Sequence, residues 1–366
     1  MEKKRVAVFF GGRSNEHDIS VITGMLACNL LRGANFEVMP VYLTRENQMT
    51  AAERARGVSD FAQPSFPPVF LKGSALYTER KPKKVYFPID VALNCCHGGY
   101  GEDGTLAALL AFHGVKTASP NMPVSAVFMD KWLTKIALRG LGIPTADGVR
   151  VTEKEWYEQR KEMLARVQSL GYPVIVKPLL LGSSIGIRVA HSEEELPAAL
   201  EYAYRVDGGA LVERYLTGKR DINCAAAYLR GEYRFSALEE VFSGGDILSF
   251  GEKYQGEAKP PVLPAEVSGE QEEEIKGYLN QILSAFSVRG VVRADFILAE
   301  GKVYFSELNV VPGSLAAYLF SENLSGAKDF LCALVEEGAR PRTQKGILNT
   351  QLLSQSVFGA KGAKNR

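Results

Sequence analysis

Five cysteines, an odd number with no CxxC pair, offer no basis for a disulfide framework or a zinc knuckle. A reducing cytoplasm is the expected home. An excess of either charge is also missing, since 43 Lys and Arg stand against 42 Asp and Glu, for a formal charge of +1. No global field therefore favours nucleic acid or an anionic membrane, and any basic site must be local. Long apolar runs are missing too: none approaches the ~18–20 residues of a membrane span. Lys3, Lys4 and Arg5 precede the apolar run 6–10, but it stops at Gly11-Gly12, too short for the apolar core of a signal peptide. It reads as a strand, and neither export nor membrane insertion is expected.

What is present is an ordinary globular composition, 46% hydrophobic and 23% charged over 366 residues. At roughly 100 to 200 residues per domain, that length predicts two or three domains. The run 6–10, its glycine turn and a helical pattern over 21–31 make a first βα unit of a parallel sheet, with a second strand at 37–43. From 44 to 88 the periodicity fades among Pro64, Pro67, Pro68, Pro82 and Pro88, which predicts an irregular insertion. A strand at 90–95, a glycine-rich turn and a helix at 105–113 form a second βα unit. One helix is expected over 123–139 and a hairpin over 173–189. Further strands are expected at 222–229, 233–237, 293–298 and 302–307, and a helix at 270–286. Adjacent Cys95 and Cys96 read as buried strand residues.

Four constellations carry chemistry. The first, GGRSNEHDIS at 11–20, sits where a strand ends and a helix begins, the usual ligand position in a parallel sheet. Glu16 is suited there to an ammonium group; alternatively Glu16 and Asp18 only complement the helix dipole. The second is HGGYGEDG at 97–104, whose glycines imply unusual backbone angles around His97. The third joins Lys131 to Lys177 and the Gly182-Ser183-Ser184 turn, two cations and backbone amides that could reach one polyphosphate. No GxxxxGK[ST] stretch occurs, so this is not a P-loop. The fourth pairs Arg293-Ala294-Asp295 with Glu307-Leu308-Asn309 on two strands. Alternation puts Arg293 with Asp295 on one side, and Glu307 with Asn309. Two carboxylates and an amide oxygen suit Mg²⁺ bound with nucleotide phosphates, whereas a structural Arg293–Asp295 pair would leave Asn309 unexplained.

Taken together, GGRSNEHDIS, HGGYGEDG, MDK, VKPLLLGSSIG, the Glu213–Leu216 hinge, Lys253-Tyr254, RAD and ELNVVPG occur in the order found in the ATP-grasp superfamily. Within it the chain resembles the D-alanine:D-alanine ligases, over about residues 5–319. The resemblance implies an N-terminal parallel α/β domain at 1–120, a central α+β subdomain at 121–215 and a C-terminal α+β subdomain at 216–345. The last carries a lid at 242–264, and a frayed tail follows at 346–366.

It also implies a reaction: ATP phosphorylates the carboxylate of one D-alanine, and the amine of a second displaces phosphate to form the dipeptide used for peptidoglycan. Carried over by motif, Glu213 and Leu216 would meet adenine and Asp221 the ribose. Lys131, Lys177 and Lys253 would neutralise phosphates, and Asp295, Glu307 and Asn309 would hold two Mg²⁺ ions, with Mn²⁺ as a substitute. Glu16 would take the first ammonium and join Ser183 and Tyr254 in a hydrogen-bonded triad. Arg293 and the Gly313 amide would stabilise the oxyanion, and His97, Tyr318 and Leu319 would face substrate. A cytoplasmic homodimer acting on small molecules is implied, with no nucleic-acid or membrane partner.

One departure stands out. Tyr318 occupies the position where the family has a serine that receives the acceptor's carboxylate, so a reshaped acceptor pocket is expected. D-serine, D-lactate or another amine are the alternative acceptors, and a non-catalytic ATP sensor is the alternative of a different class.

Overall fold

The computed structural model describes residues 3–242 and 259–341. Four sheets organise them. In the first, Phe36–Leu43, Lys4–Gly11 and Val91–Asn94 run parallel, and Met49–Ala51 adds an antiparallel edge. The helix His17–Arg32 packs on it because Val21, Met25, Cys28 and Leu31 recur on one helical face, and all four are buried. The second sheet is antiparallel, in the order Arg188–Ala190, Val174–Pro178, Gly209–Arg214, Gly148–Thr152, with its own core around Trp156. The third, also antiparallel, runs Glu232–Val241, Arg220–Leu229, Val291–Ala299, Lys302–Asn309.

One apolar cluster joins the first and third sheets. It holds Val6, Val8 and Phe10 together with Ile222, Cys224 and Phe296, and the helix Leu324–Ala339 contributes Phe330, Leu331 and Leu334. Burying these faces in one core ties the N-terminal strand ends to the C-terminal sheet, and the cleft lies where they meet. Cys95 and Cys96 are buried as expected, but they lie just past the end of the strand Val91–Asn94 rather than in it.

Two expectations are corrected. The stretch 44–88 is not irregular: beyond the edge strand it forms a three-stranded sheet, Val69–Leu71, Ala75–Thr78 and Val85–Pro88. These strands have only three or four residues, too few for a period-2 pattern to show among the prolines. The single helix over 123–139 is instead two, Met122–Met129 and Lys131–Gly140. Asp130 divides them, its Oδ1 accepting from the amides of Trp132 (2.8 Å) and Leu133 (3.0 Å) as an N-cap. The helix at 270–286 starts in the same way, since Ser268 and Gln271 form a reciprocal capping box ahead of Gly269–Ala285. No described helix is long and apolar enough to cross a membrane.

Candidate active site

A cavity of about 490 Å³ opens between the strand ends, and Glu16, Lys131, Lys177, Arg293, Asp295 and Glu307 are among its lining residues. Asp130 starts a helix there, so Lys131 becomes the first helical residue, at the positive end of the dipole where a cation is disfavoured. It is nonetheless turned inward, its Nζ donating to the carbonyl of Leu181. Burial draws the Lys131 ammonium below its ordinary range, Glu307 partly restores it, and Lys177 adds to the fall. An anion in the cleft would relieve this pair.

Lys177 and Glu213 lie diagonally on adjacent strands, within reach of long side chains. Glu213 Oε2 is 2.5 Å from Lys177 Nζ, and Oε1 is 2.6 Å from Lys135 Nζ. Burial works to raise the Glu213 carboxyl, but the two ammonium groups overcome it and bring it down to about 2. The Glu213 side chain is thus engaged by two lysines at the cavity wall. Leu216 is buried at the cavity wall, and Asp221 also lines the cavity, with Lys219 Nζ 2.6 Å from its Oδ2.

At the N-terminal strand ends, Ser183 Oγ donates to Glu16 Oε1, a bond between residues 167 positions apart. Ser183 and Ser184 both take left-handed angles, φ 53° and 59°, which turn the tip of the central hairpin onto Glu16. Gly98, at φ 65°, permits the approach from the other side: a Cβ there would stand 2.8 Å from Glu16 Oε2. His97 is buried, with Nε2 2.8 Å from Thr23 Oγ1 and Nδ1 3.6 Å from Glu102 Oε1. Burial raises the Glu102 carboxyl against the opposing pull of His97. Thr23 Oγ1 also accepts from the Ser314 amide at 3.2 Å, so His97 is linked to the loop after Gly313.

In the third sheet Asp295 pairs directly with Glu307, and Arg293 with Asn309. Arg293 grips Asp295 through two bonds of 2.8 and 2.9 Å, and Asn309 Nδ2 donates to Asp295 Oδ2 at 3.2 Å. Burial works against the Arg293 charge, and Asp295 more than restores it. Both the salt bridge and the convergence of Asn309 anticipated from the sequence are therefore present. Among the described residues no three His, Cys, Asp or Glu side chains cluster as a metal cage. Two facing carboxylates and an amide oxygen fit Mg²⁺, which is commonly held by one or two carboxylates plus phosphates.

After Pro312-Gly313, the residues Ser314, Leu315 and Ala316 take left-handed angles, φ 49–52°. For residues with a Cβ this is unfavourable, and it persists because Leu315 and Ala316 are buried in the core. The turn presents Tyr318 to the cavity and sends Leu319 into the core, away from the substrate contact expected of its side chain. Tyr318 hydroxyl donates to Glu239 Oε2 at 3.1 Å, and burial pushes its phenol upward. Lys253 and Tyr254 lie outside the described residues, as do most of the lid 242–264 and the tail 346–366.

Sequence reasoning missed Lys135, Thr23, Glu102, Asn223 and Glu239. Only Lys135 left a signal. It stands four residues after Lys131 on one helical face, a repulsive pair unless an acid intervenes.

Such a cleft, with Lys177 of the central antiparallel sheet and Lys131 of the adjoining helix facing carboxylates of the third sheet, defines an ATP-grasp fold. Residues 5–120 match the family description "D-ala D-ala ligase N-terminus", and residues 137–328 match "D-ala D-ala ligase C-terminus". The chain belongs to the D-alanine–D-alanine ligase family. It is 32% identical over 323 residues to the D-alanine–D-alanine ligase of Thermoanaerobacter sp. (strain X514), covering 86% of this chain and 89% of that one. The Wolinella succinogenes D-alanine–D-alanine ligase is 32% identical over 319 residues, 87% of this chain and 90% of that one. The crystal structure of D-alanine–D-alanine ligase from Helicobacter pylori superposes with a TM-score of 0.74 at 28% identity, covering 93% of this chain and 99% of the other. The fold is shared as well with the VanG D-Ala:D-Ser ligase of Enterococcus faecalis, with a TM-score of 0.79 at 24% identity over 92% of this chain and 99% of that one.

Proposed function

We propose that this protein is an ADP-forming ligase that activates the carboxylate of D-alanine with ATP and joins it to the amine of a second D-alanine. The observation that carries this reading is the Ser183–Glu16 bond, which brings an ammonium-binding carboxylate into the cavity lined by Lys177 and Asp295. Each group has a task there. Lys131 and Lys177 hold the phosphates, Lys177 being kept in place by Glu213. Glu16 binds the ammonium of the donor amino acid. Arg293, fixed by Asp295, faces the carbonyl oxygen as negative charge develops on it, and the Gly313 amide adds a second donor. Asp295, Glu307 and Asn309 would hold Mg²⁺, which spreads charge off the transferring phosphoryl group. Two ions, a cytoplasmic setting and a homodimer belong to the same reading.

The test is incubation of the purified protein with ATP, Mg²⁺ and D-alanine, following phosphate and dipeptide together. One phosphate per D-alanyl-D-alanine is expected. Turnover only with D-serine, D-lactate or an unrelated amine, or nucleotide binding without turnover over such a panel, would overturn it.

A further inference from the structure

The third sheet carries a polar row that the ligase reading leaves half used. Register places Glu239 opposite Asn223, Asn223 opposite Asp295, and Asp295 opposite Glu307, so these four residues share one face across four strands. Glu307 and Asp295 occupy the metal end. Two strand spacings away, roughly 10 Å from Asp295, Glu239 occupies the other.

Glu239 is only 4% exposed, yet it lines the cavity. Asn223 Nδ2, at 3.0 Å, and the Tyr318 hydroxyl, at 3.1 Å, both donate to its Oε2. Oε1 accepts no hydrogen bond from any described residue, and it is not sealed away. Among the described residues Glu239 has no ion-pair partner, and the nearby guanidinium of Arg293 is committed to Asp295. A buried carboxylate with neutral partners on one oxygen and none on the other is costly until a cation reaches it.

We propose that Glu239 binds the ammonium group of the acceptor substrate, with Tyr318 and Asn223 holding the carboxylate in position, and that it selects amines over hydroxy acids. This rests on the ligase reading proposed above. An ammonium offers charge and several donors to Oε1, whereas the hydroxyl of a hydroxy acid offers one donor and no charge. Tyr318 then has a task of its own. With its hydroxyl hydrogen bond donated to Glu239, it is a positioning residue and not a receiver of the acceptor's carboxylate.

The experiment separates the two halves of the reaction. Hydroxylamine traps an acyl phosphate by attacking its carbonyl carbon and releasing phosphate, with no need of the acceptor subsite. For Glu239→Gln, hydroxamate formation from ATP and D-alanine is expected to stay within about twofold of wild type. The KM of D-alanine as acceptor should rise at least about tenfold, and the preference for D-alanine over D-lactate should fall by a similar factor. Glu239→Asp should recover part of the loss, and Tyr318→Phe should raise the acceptor KM by about threefold or more while sparing the hydroxamate. An unchanged acceptor KM in folded Glu239→Gln overturns the proposal, as does a parallel loss of hydroxamate and dipeptide. If Glu239→Gln does not fold, Tyr318→Phe decides, and wild-type behaviour there overturns it. Wild-type protein that forms hydroxamate but does not prefer amines refutes this proposal alone, whereas wild-type protein that forms none refutes the ligase reading and this inference with it.

Discussion

Lys177 Nζ stands 2.5 Å from Glu213 Oε2, and both side chains are nearly buried. With Lys135 on its other oxygen, Glu213 holds two cations that would otherwise repel each other. Glu213→Gln should therefore destabilise the protein by about 3–5 kcal/mol, the usual range for breaking a buried ion pair. It should also raise the KM for ATP by releasing Lys177. Denaturant unfolding and ATP saturation curves check the two effects.

The same group sets an acid limit. The Glu213 carboxyl has a usual value of 4.5 and is held at about 2 in the folded chain, so its stabilising contribution is complete above pH 4.5 and is lost as pH falls toward 2. Wild-type stability should fall across that window. Glu213→Gln should show a shallower fall, measured by urea midpoints between pH 2 and 6; equal slopes would remove Glu213 from the account.

Glu307 faces Asp295 across the strand pair and borders the lysine cluster. Glu307→Gln keeps the shape and removes the charge, so the fold should survive while Mg²⁺-dependent turnover drops to background. Circular dichroism and phosphate release decide it. Near-normal rates would contradict the placement of the metal.

Much of this site was legible because its side chains sit on short-range patterns. RAD and ELN follow the strand period of two, so Asp295, Glu307 and Asn309 could be assigned to one cluster before any pairing was known. Glu16 and His97 were visible because each follows or precedes a glycine turn at a strand end. Glu239 was not legible. Its neighbour Glu240 faces the opposite side with Arg220, and only the register of two hairpin strands tells which of the two acids enters the cleft. The ion pairs of Glu213 were not legible either, because Lys135 approaches it from another element, 78 positions earlier in sequence. The sheet within 44–88 stayed hidden because its strands are stabilised by pairing with each other and too short to declare a pattern.

Thr23 joins His97 to the Ser314 amide, and it is buried. Thr23→Val preserves volume and shape but leaves a buried donor without its partner, at a cost of about 1–3 kcal/mol. The turn next to Gly313 should then loosen, lowering kcat while the KM for ATP is unchanged. Thr23→Ser should restore the rate. If Thr23→Ser is as slow as Thr23→Val, the hydroxyl is not what positions the loop.

Gly24 lets the helix His17–Arg32 pack directly against Phe10 of the first sheet. A Cβ there would lie 2.2 Å from Phe10 Cγ, and Phe10 is fully buried, so the ring has nowhere to go. Helix propensity alone would favour Gly24→Ala by about 1 kcal/mol. Overpacking should outweigh it, costing about 1–3 kcal/mol and lifting the helix that carries Thr23 and follows Glu16. Gly277 is the matched control: it is an exposed mid-helix glycine in Gly269–Ala285, and a Cβ there meets nothing within 4 Å. Gly277→Ala should raise the thermal midpoint and leave activity alone, whereas Gly24→Ala should lower both the midpoint and the affinity for D-alanine. The two substitutions are chemically identical and differ only in what the new methyl group meets, so shifts of the same sign would mean that the packing of this helix against Phe10 does not govern the N-terminal half of the site.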